Sequence, residues 1–258
     1  MNGKVYLVGG GPGDPELLTL KAVKILGRAD IVLHDALVSR EVLALVAAGA
    51  ELIDVGKRCG TKLLTQEEIN ALMVSYARSH EVVVRLKGGD PLLFGRAGEE
   101  ITALRDAGVG IEIVPGITAG FAAAAAAGFS LTDRRVASQV LFTTIQRDTD
   151  NRSIQWGGIP STTTLMLYMP GTDYARVMQQ LRDAGWPDDM PCAIVSHASG
   201  KDQEIRSTVL ANLAGETALP APAIMVVGRV VAEVAEEIGR EFRITPETAA
   251  RISPPMMI

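Results

Sequence analysis

Short apolar runs rich in β-branched residues alternate with amphipathic, cap-bounded stretches over the first half of the chain. The runs Lys4 to Val8, Ile31 to His34, Glu51 to Val55, Val82 to Leu86 and Gly110 to Val114 predict five strands. Between them, Asp14-Pro15 supplies an N-cap with proline at the first helical position. Leu17, Leu18, Val23 and Leu26 then mark a buried stripe that ends at Gly27. Thr65-Gln66-Glu67-Glu68 fits a capping box that opens a helix toward Arg78, and Gly98 to Ala107 predicts another, stopped by Gly108. Strands alternating with helices imply parallel strands joined by crossovers.

Beyond Gly128 the pattern loosens. Apolar runs at Val136 to Thr144, Thr162 to Met169, Ala193 to Ser196 and Ala223 to Val227 are separated by longer connections, with helices predicted at Thr172 to Ala184, Ser207 to Leu213 and Val230 to Gly239. The expectation is an α/β protein of two domains, residues 1–115 with a mostly parallel sheet and residues 116–258 with a mixed one. They would be hinged near Pro115-Gly116, with the ligand in the cleft between them. The uncharged stretch Ile113 to Thr132 imitates a membrane span. Pro115, Gly116, Gly120 and Gly128 cut it to an alanine-rich helix of roughly three turns, far short of the ~20 residues a bilayer needs, so a buried, closely packed helix is expected instead.

Composition narrows the partners. The 258 residues carry 25 Lys plus Arg against 30 Asp plus Glu, a net charge of −5, and neither half is basic, which argues against nucleic acid. Cys59 and Cys192 lie far apart, and His34, His80 and His197 are scattered, so no disulfide framework or metal site is expected. The apolar run Val5 to Val8 is too short for a signal peptide, which predicts a cytoplasmic protein with no membrane attachment.

The chemistry-bearing segments fall at predicted strand ends. The turn Gly9-Gly10-Gly11-Pro12-Gly13-Asp14 fails the dinucleotide fingerprint, whose third glycine would fall on Asp14 or Glu16, and no Gly-Lys pair continues as a P-loop. An acid at a helix start repels phosphate. The turn is therefore either a tight bend alone or a place where a ligand without phosphate meets bare backbone. Asp35 reads as a helix cap or a general base; Lys57-Arg58 reads as a solvated loop or an anion site, and the adjacent Cys59 as structural. The segment from Arg85 to Glu100, containing Lys87-Gly88-Gly89-Asp90-Pro91 and Phe94-Gly95-Arg96, packs three cations and three acids around a Gly-Gly-Asp-Pro turn. Met169, ending a strand, reads as core on position alone.

Taken in order, the glycine turn with Leu17-Leu18-Thr19, Asp35, Gly56-Lys57-Arg58, Lys87 to Pro91, Phe94 to Arg96 and Val114-Pro115-Gly116-Ile117-Thr118-Ala119 closely resemble the uroporphyrinogen-III C-methyltransferases. The resemblance runs from Lys4 to about Val231. It implies the two-domain tetrapyrrole methylase fold, a homodimer, and S-adenosylmethionine as methyl donor, leaving as S-adenosylhomocysteine. By resemblance Pro12, Gly88, Gly89, Asp90, Leu93, Thr118, Ala119, Met169 and Ala198 bind the donor; Asp35 and Lys57 match a proton acceptor and donor; and Arg96 and Glu99 match residues near the tetrapyrrole. A sulfonium donor carries no phosphate, which agrees with a glycine turn that tolerates Asp14. A polycarboxylate acceptor on an acidic protein requires local cations, for which Lys57, Arg58, Arg85, Lys87, Arg96, Arg134 and Arg135 are candidates. The implied reaction is methylation of uroporphyrinogen III at two ring carbons, via precorrin-1 to precorrin-2, on the routes to siroheme, cobalamin or heme d1. A sister enzyme acting on a later corrinoid and a non-catalytic donor binder are the alternatives. Two departures stand out: Thr143-Thr144-Ile145 where the resemblance leads one to expect Thr-Gly-His, and Ser196-His197-Ala198-Ser199 in place of Glu-Asn-Gly-Thr.

Overall fold

The computed structural model describes residues 3–56, 64–145 and 156–231. Its first sheet joins β1 (Lys4–Gly9), β2 (Ile31–His34), β3 (Glu51–Asp54), β4 (Val82–Lys87) and β5 (Gly110–Val114) in the order β3-β2-β4-β1-β5, with every pairing parallel. The register aligns Val5 with Val83 and Val8 with Leu86. Side chains alternate across the sheet. Val5, Leu7, Leu33 and Val83 therefore face α3 (Gln66–Ala77) and α4 (Ala97–Asp106), through Met73 and Leu104. Tyr6, Val8, Val32 and Val84 face α1 (Leu20–Leu26) and the short α2 (Arg40–Leu43), through Leu26 and Val42. Covering both faces is what makes these strands read as unbroken apolar runs.

Local chemistry sets the helix starts, and one differs from expectation. The capping box at Thr65 forms in full, with the Thr65 side chain accepting from Glu68 N and the Glu68 carboxylate from Thr65 N. Asp14 does cap, but only a single 3₁₀ turn, Pro15–Leu17. Thr19 then takes an extended conformation and its hydroxyl accepts from Ala22 N, which starts α1 afresh. Two competing N-caps split what the apolar stripe suggested was one helix.

The alanine-rich helix α5 (Ala119–Ala127) leads into the second sheet, ending at Gly128 with a left-handed φ of +77°. That sheet contains β6 (Gln139–Thr144), β7 (Thr163–Tyr168), β8 (Pro191–Ser196), β9 (Glu204–Val209) and β10 (Ala223–Val227) in the order β6-β7-β10-β8-β9. Only β6 and β7 pair in parallel, so the sheet is mixed, as expected. Leu165, Leu167 and Ile194 pack on one side against α6 (Tyr174–Asp183) and Trp186. On the other side Met166, Tyr168, Ala193 and Val195 pack against Ala122, Ala123 and Ala124. The alanines are thus a packing device that lets α5 lie close to the sheet. No described helix is long and apolar enough to cross a membrane.

The helix expected over Ser207 to Leu213 is instead the end of β9 followed by a 3₁₀ turn, Leu210–Gly215. β9 is an edge strand paired only with β8 among the described residues and with no fully buried residue, so its apolar alternation is weak. The helix expected from Val230 is a short 3₁₀ turn, Arg229–Val231, and its remainder lies outside the described residues.

A surface cluster yields a pH prediction. Lys4 and Lys21 both ion-pair with Glu112 on β5, and their hydrogen bonds hold its carboxyl at about 2, below the ordinary 4.5. A carboxylate depressed on folding contributes stability that is complete above its unfolded value and lost as pH falls through the folded one. The melting temperature of wild type is expected to drop more steeply between pH 4.5 and about 2 than that of Glu112→Gln. The three groups are solvent-exposed, so the difference shrinks in salt of about 1 M, where the Debye length is ~3 Å.

Candidate active site

The carboxyl ends of β1, β4 and β5 converge because their turns lack side chains. A Cβ on Gly9 would stand 2.6 Å from Gly116 Cα and 2.8 Å from Gly89 O, and one on Gly116 would stand 2.4 Å from Gly89 O. Gly11 and Gly89 exchange backbone hydrogen bonds of 3.2 and 2.7 Å, and Gly89 holds a φ of +68°. Asp90 binds the third turn to the second, since its carboxylate accepts from Leu92 N at 2.8 Å and from Gly116 N at 3.0 Å. Gly89 in turn lies against Thr118 and Ala119. Pro12, Gly88, Gly89, Asp90, Thr118 and Ala119 are therefore gathered at one edge of the sheet, the edge where open α/β sheets bind ligands.

The second sheet reaches this edge through Tyr168, the last residue of β7. Its hydroxyl lies 2.7 Å from Thr118 Oγ1 and accepts from Gly120 N at 2.9 Å, capping α5 in place of the Thr118 side chain. Burial pushes the Tyr168 hydroxyl pKa up, so it stays protonated and able to donate. Met169 follows with a φ of +51° and is 43% exposed, so it is rim and not core. Leu93, Ala119 and the buried Ala198 pack in the same apolar cluster as Tyr168. Phe94, left-handed at +54° and partly exposed, sets its ring 5.0 Å from that of Tyr168.

One strand away, Asp35 follows β2 and is half-buried. Its carboxylate is ion-paired with Arg85 of β4, whose Nε donates to Glu100 of α4 at 2.9 Å. Lys87 Nζ donates to the same Glu100 oxygen at 3.1 Å, and Gln66 Nε2 at 3.2 Å. Burial, with the charge of Arg85 alongside, pushes the Lys87 ammonium below its ordinary value. Among the described residues no group of His, Cys, Asp or Glu is arranged to hold a metal, and burial drives the Cys192 thiol up to about 12.

Residues 4–214 match the family described as Tetrapyrrole (Corrin/Porphyrin) Methylases. The chain belongs to the tetrapyrrole methylase family. This methylase is 43% identical over 235 residues to the uroporphyrinogen-III C-methyltransferase of Paracoccus denitrificans, covering 89% of the chain and 82% of that protein. It is 42% identical to the siroheme synthase of Methylobacillus flagellatus, again over 89% of the chain but 50% of that protein. The chain thus spans about half the length of the siroheme synthases it matches. Among solved structures it is similar to uroporphyrin-III C-methyltransferase from Thermus thermophilus complexed with S-adenosyl homocysteine. That match has a TM-score of 0.79 and 38% identity, covering 90% of this chain and all of that one.

The cations of this methylase are less available than the sequence suggests. Arg85 and Lys87, candidates for an anionic acceptor, are buried and held by Glu100. Arg135 is chelated by Asp133, with bonds of 3.0 and 2.9 Å. Arg96, left-handed at +55° ahead of α4, makes a two-pronged pair with Glu99 at 2.7 and 2.6 Å; both are half-exposed. Arg134 is exposed in the loop closed by the Asp133–Ala137 bridge. Lys57, Arg58 and Cys59 lie outside the described residues, although Gly56 just before them abuts the backbone of Ala36. Sequence reasoning missed Tyr168 and Glu100. The available signal was Arg85 and Lys87 themselves, charged residues inside an apolar strand run that demand a buried partner.

The two departures are also accounted for locally. Ile145 packs into the apolar cluster beneath α6, and the Ser196 hydroxyl donates to Pro220 O at 2.6 Å while its oxygen meets His197 Nδ1 at 2.8 Å. Tyr168→Phe should leave Gly120 N and Thr118 without their shared partner. We expect a loss of about 1–3 kcal/mol in denaturant unfolding and weaker S-adenosylhomocysteine binding by calorimetry.

Proposed function

We propose that this chain transfers methyl groups from S-adenosylmethionine to two ring carbons of uroporphyrinogen III, giving precorrin-2 by way of precorrin-1. The observation that carries the reading is the convergence of three glycine turns beside the half-buried pair Asp35–Arg85, in a chain whose relatives bear that enzyme's name. The donor fits the residues present. Bare backbone at Gly11 and Gly89 permits close approach of a flat group, and Met169 and Phe94 offer exposed apolar surface. The acid in the first turn, Asp14, is spent on the N–H of Glu16, which suits a sulfonium and not a phosphate.

When bound, S-adenosylmethionine supplies an electrophilic methyl group. The chain's own task is to hold a pyrrole carbon in line with that methyl in a water-poor cleft, where fixed orientation supplies much of the acceleration. We assign Pro12, Gly88, Gly89, Asp90, Leu93, Thr118, Ala119, Met169 and Ala198 to the donor. Asp90 acts by shaping the turn, since its oxygens are engaged by Leu92 N and Gly116 N. Attack leaves positive charge on the acceptor, and a proton must depart; we assign its removal to Asp35, held by Arg85, with Lys57 as the complementary donor. Arg96, Glu99, Arg58 and Arg134 are assigned to the acceptor's carboxylates. We take residues 1–115 and 116–258 as two domains flanking the cleft and a cytoplasmic homodimer as the working state, to be checked by sedimentation.

The test is direct. Purified protein given S-adenosylmethionine and freshly reduced uroporphyrinogen III should yield a doubly methylated product by mass. Absence of methylation there, with methylation of a later corrinoid offered in parallel, transfers the assignment to a sister reaction.

A further inference from the structure

Glu100 sits where an apolar residue belongs. On α4 it shares the inward face with Ala97 and Leu104, against Met73 of α3, yet it is a carboxylate with no exposed surface. One of its oxygens collects three donors, from Arg85, Lys87 and Gln66; the other has no partner among the described residues. Burying charge in this way costs stability that a leucine core would not, so packing does not explain it.

The direction of the network does. Arg85 bridges two carboxylates with different nitrogens, Nε to Glu100 and Nη2 to Asp35, while Nη1 lies 3.4 Å from Leu33 O and 3.3 Å from Leu86 O. The side chains of Arg85 and Lys87 are each 3% exposed and that of Glu100 is 0%, whereas Asp35 is 29% exposed. Asp35 is the outlet of an otherwise sealed cluster of two cations and two carboxylates. Without Glu100, Arg85 Nε loses its anchor, and the guanidinium shares its remaining carboxylate with the charge of Lys87.

We propose that Glu100 is a positioning residue of the methyl-transfer site: it fixes the guanidinium of Arg85 so that Arg85 holds the Asp35 carboxylate toward the cleft. This inference rests on the assignment of Asp35 as proton acceptor.

Glu100→Gln, which preserves volume, tests it against Asp35→Asn and the double variant. In Glu100→Gln we expect kcat to fall about 10- to 100-fold, the scale of an ångström-sized misplacement, with S-adenosylhomocysteine affinity and KM for uroporphyrinogen unchanged. Added to Asp35→Asn, Glu100→Gln should cost nothing further, because its effect passes through the carboxylate already removed. Wild-type kcat in Glu100→Gln, or losses that multiply in the double variant, overturn the inference while leaving Asp35 in place. Wild-type kcat in Asp35→Asn overturns the assignment of Asp35 and this inference with it. Should Glu100→Gln fail to accumulate folded, Gln66→Glu with Glu100→Gln keeps the buried charge balance but moves the carboxylate to α3. Reduced kcat in that folded variant supports the proposal, and wild-type kcat overturns it.

Discussion

Asp35→Asn is expected to bind S-adenosylhomocysteine as wild type does and to turn over about 10²- to 10⁴-fold more slowly, the range that positioned acid–base catalysis contributes. Asparagine is the informative replacement because of Arg85. Alanine at this position would leave the guanidinium, only 3% exposed, with Glu100 as its one carboxylate partner among the described residues, so its effect would mix lost chemistry with a disturbed core. Asparagine keeps an oxygen that can accept from Arg85 Nη2, while it removes the ability to take a proton and the negative charge of the ion pair. The turns that carry most of the residues we assign to the donor follow β1, β4 and β5, while Asp35 follows β2, so binding and turnover should separate. Calorimetry and single-turnover kinetics on the same preparation check this. Turnover within about twofold of wild type would remove Asp35 from the chemistry.

The second large effect is steric. Gly116→Ala places a methyl 2.4 Å from Gly89 O, 2.8 Å from Gly9 Cα and 3.0 Å from Gly9 C. All three neighbours are backbone atoms of adjoining turns, so no side chain can swing aside and whole turns must separate. Overpacking of well-packed sites costs about 1–3 kcal/mol and occasionally more, and backbone contacts on both sides place this substitution at the upper end. The same displacement would break the Gly116 N bond to Asp90 and move Gly89. We therefore expect a fall of about 3 kcal/mol in denaturant unfolding and loss of S-adenosylhomocysteine binding at concentrations that saturate wild type. Gly98→Ala is the control. A Cβ there meets nothing within 4 Å, and alanine in the first turn of α4 should leave binding intact with equal or slightly higher stability.

The parallel sheet was legible because its central strands β1, β2 and β4 are covered on both faces and leave largely apolar runs; the five strands fall within a residue of expectation at each end. The glycine turns were legible as bends from their own residues, whereas the lack of room for a Cβ at Gly9 and Gly116 comes from each other and from Gly89, far away along the chain. β9 was not, because an edge strand with one weakly buried face carries no clear period, and its Ser207-Thr208 imitates a helix cap. The charged positions were misread for a different reason. Arg85, Lys87 and Arg135 look like free cations until Glu100 and Asp133 are brought to them.

The sequence by itself determined the five parallel strands, the glycine turns as bends and the capping box at Thr65, all features encoded within a few residues of where they act, and it left Asp35 open between a helix cap and a general base. Tertiary structure alone decided which charges are spent and which remain. Arg85 meets Glu100 across fifteen positions and Asp35 across fifty, and Thr118 meets Tyr168 across another fifty. Such pairs leave no periodic trace, because the energy that joins them comes from burying both partners together, and burial is a property of the folded chain and not of either segment.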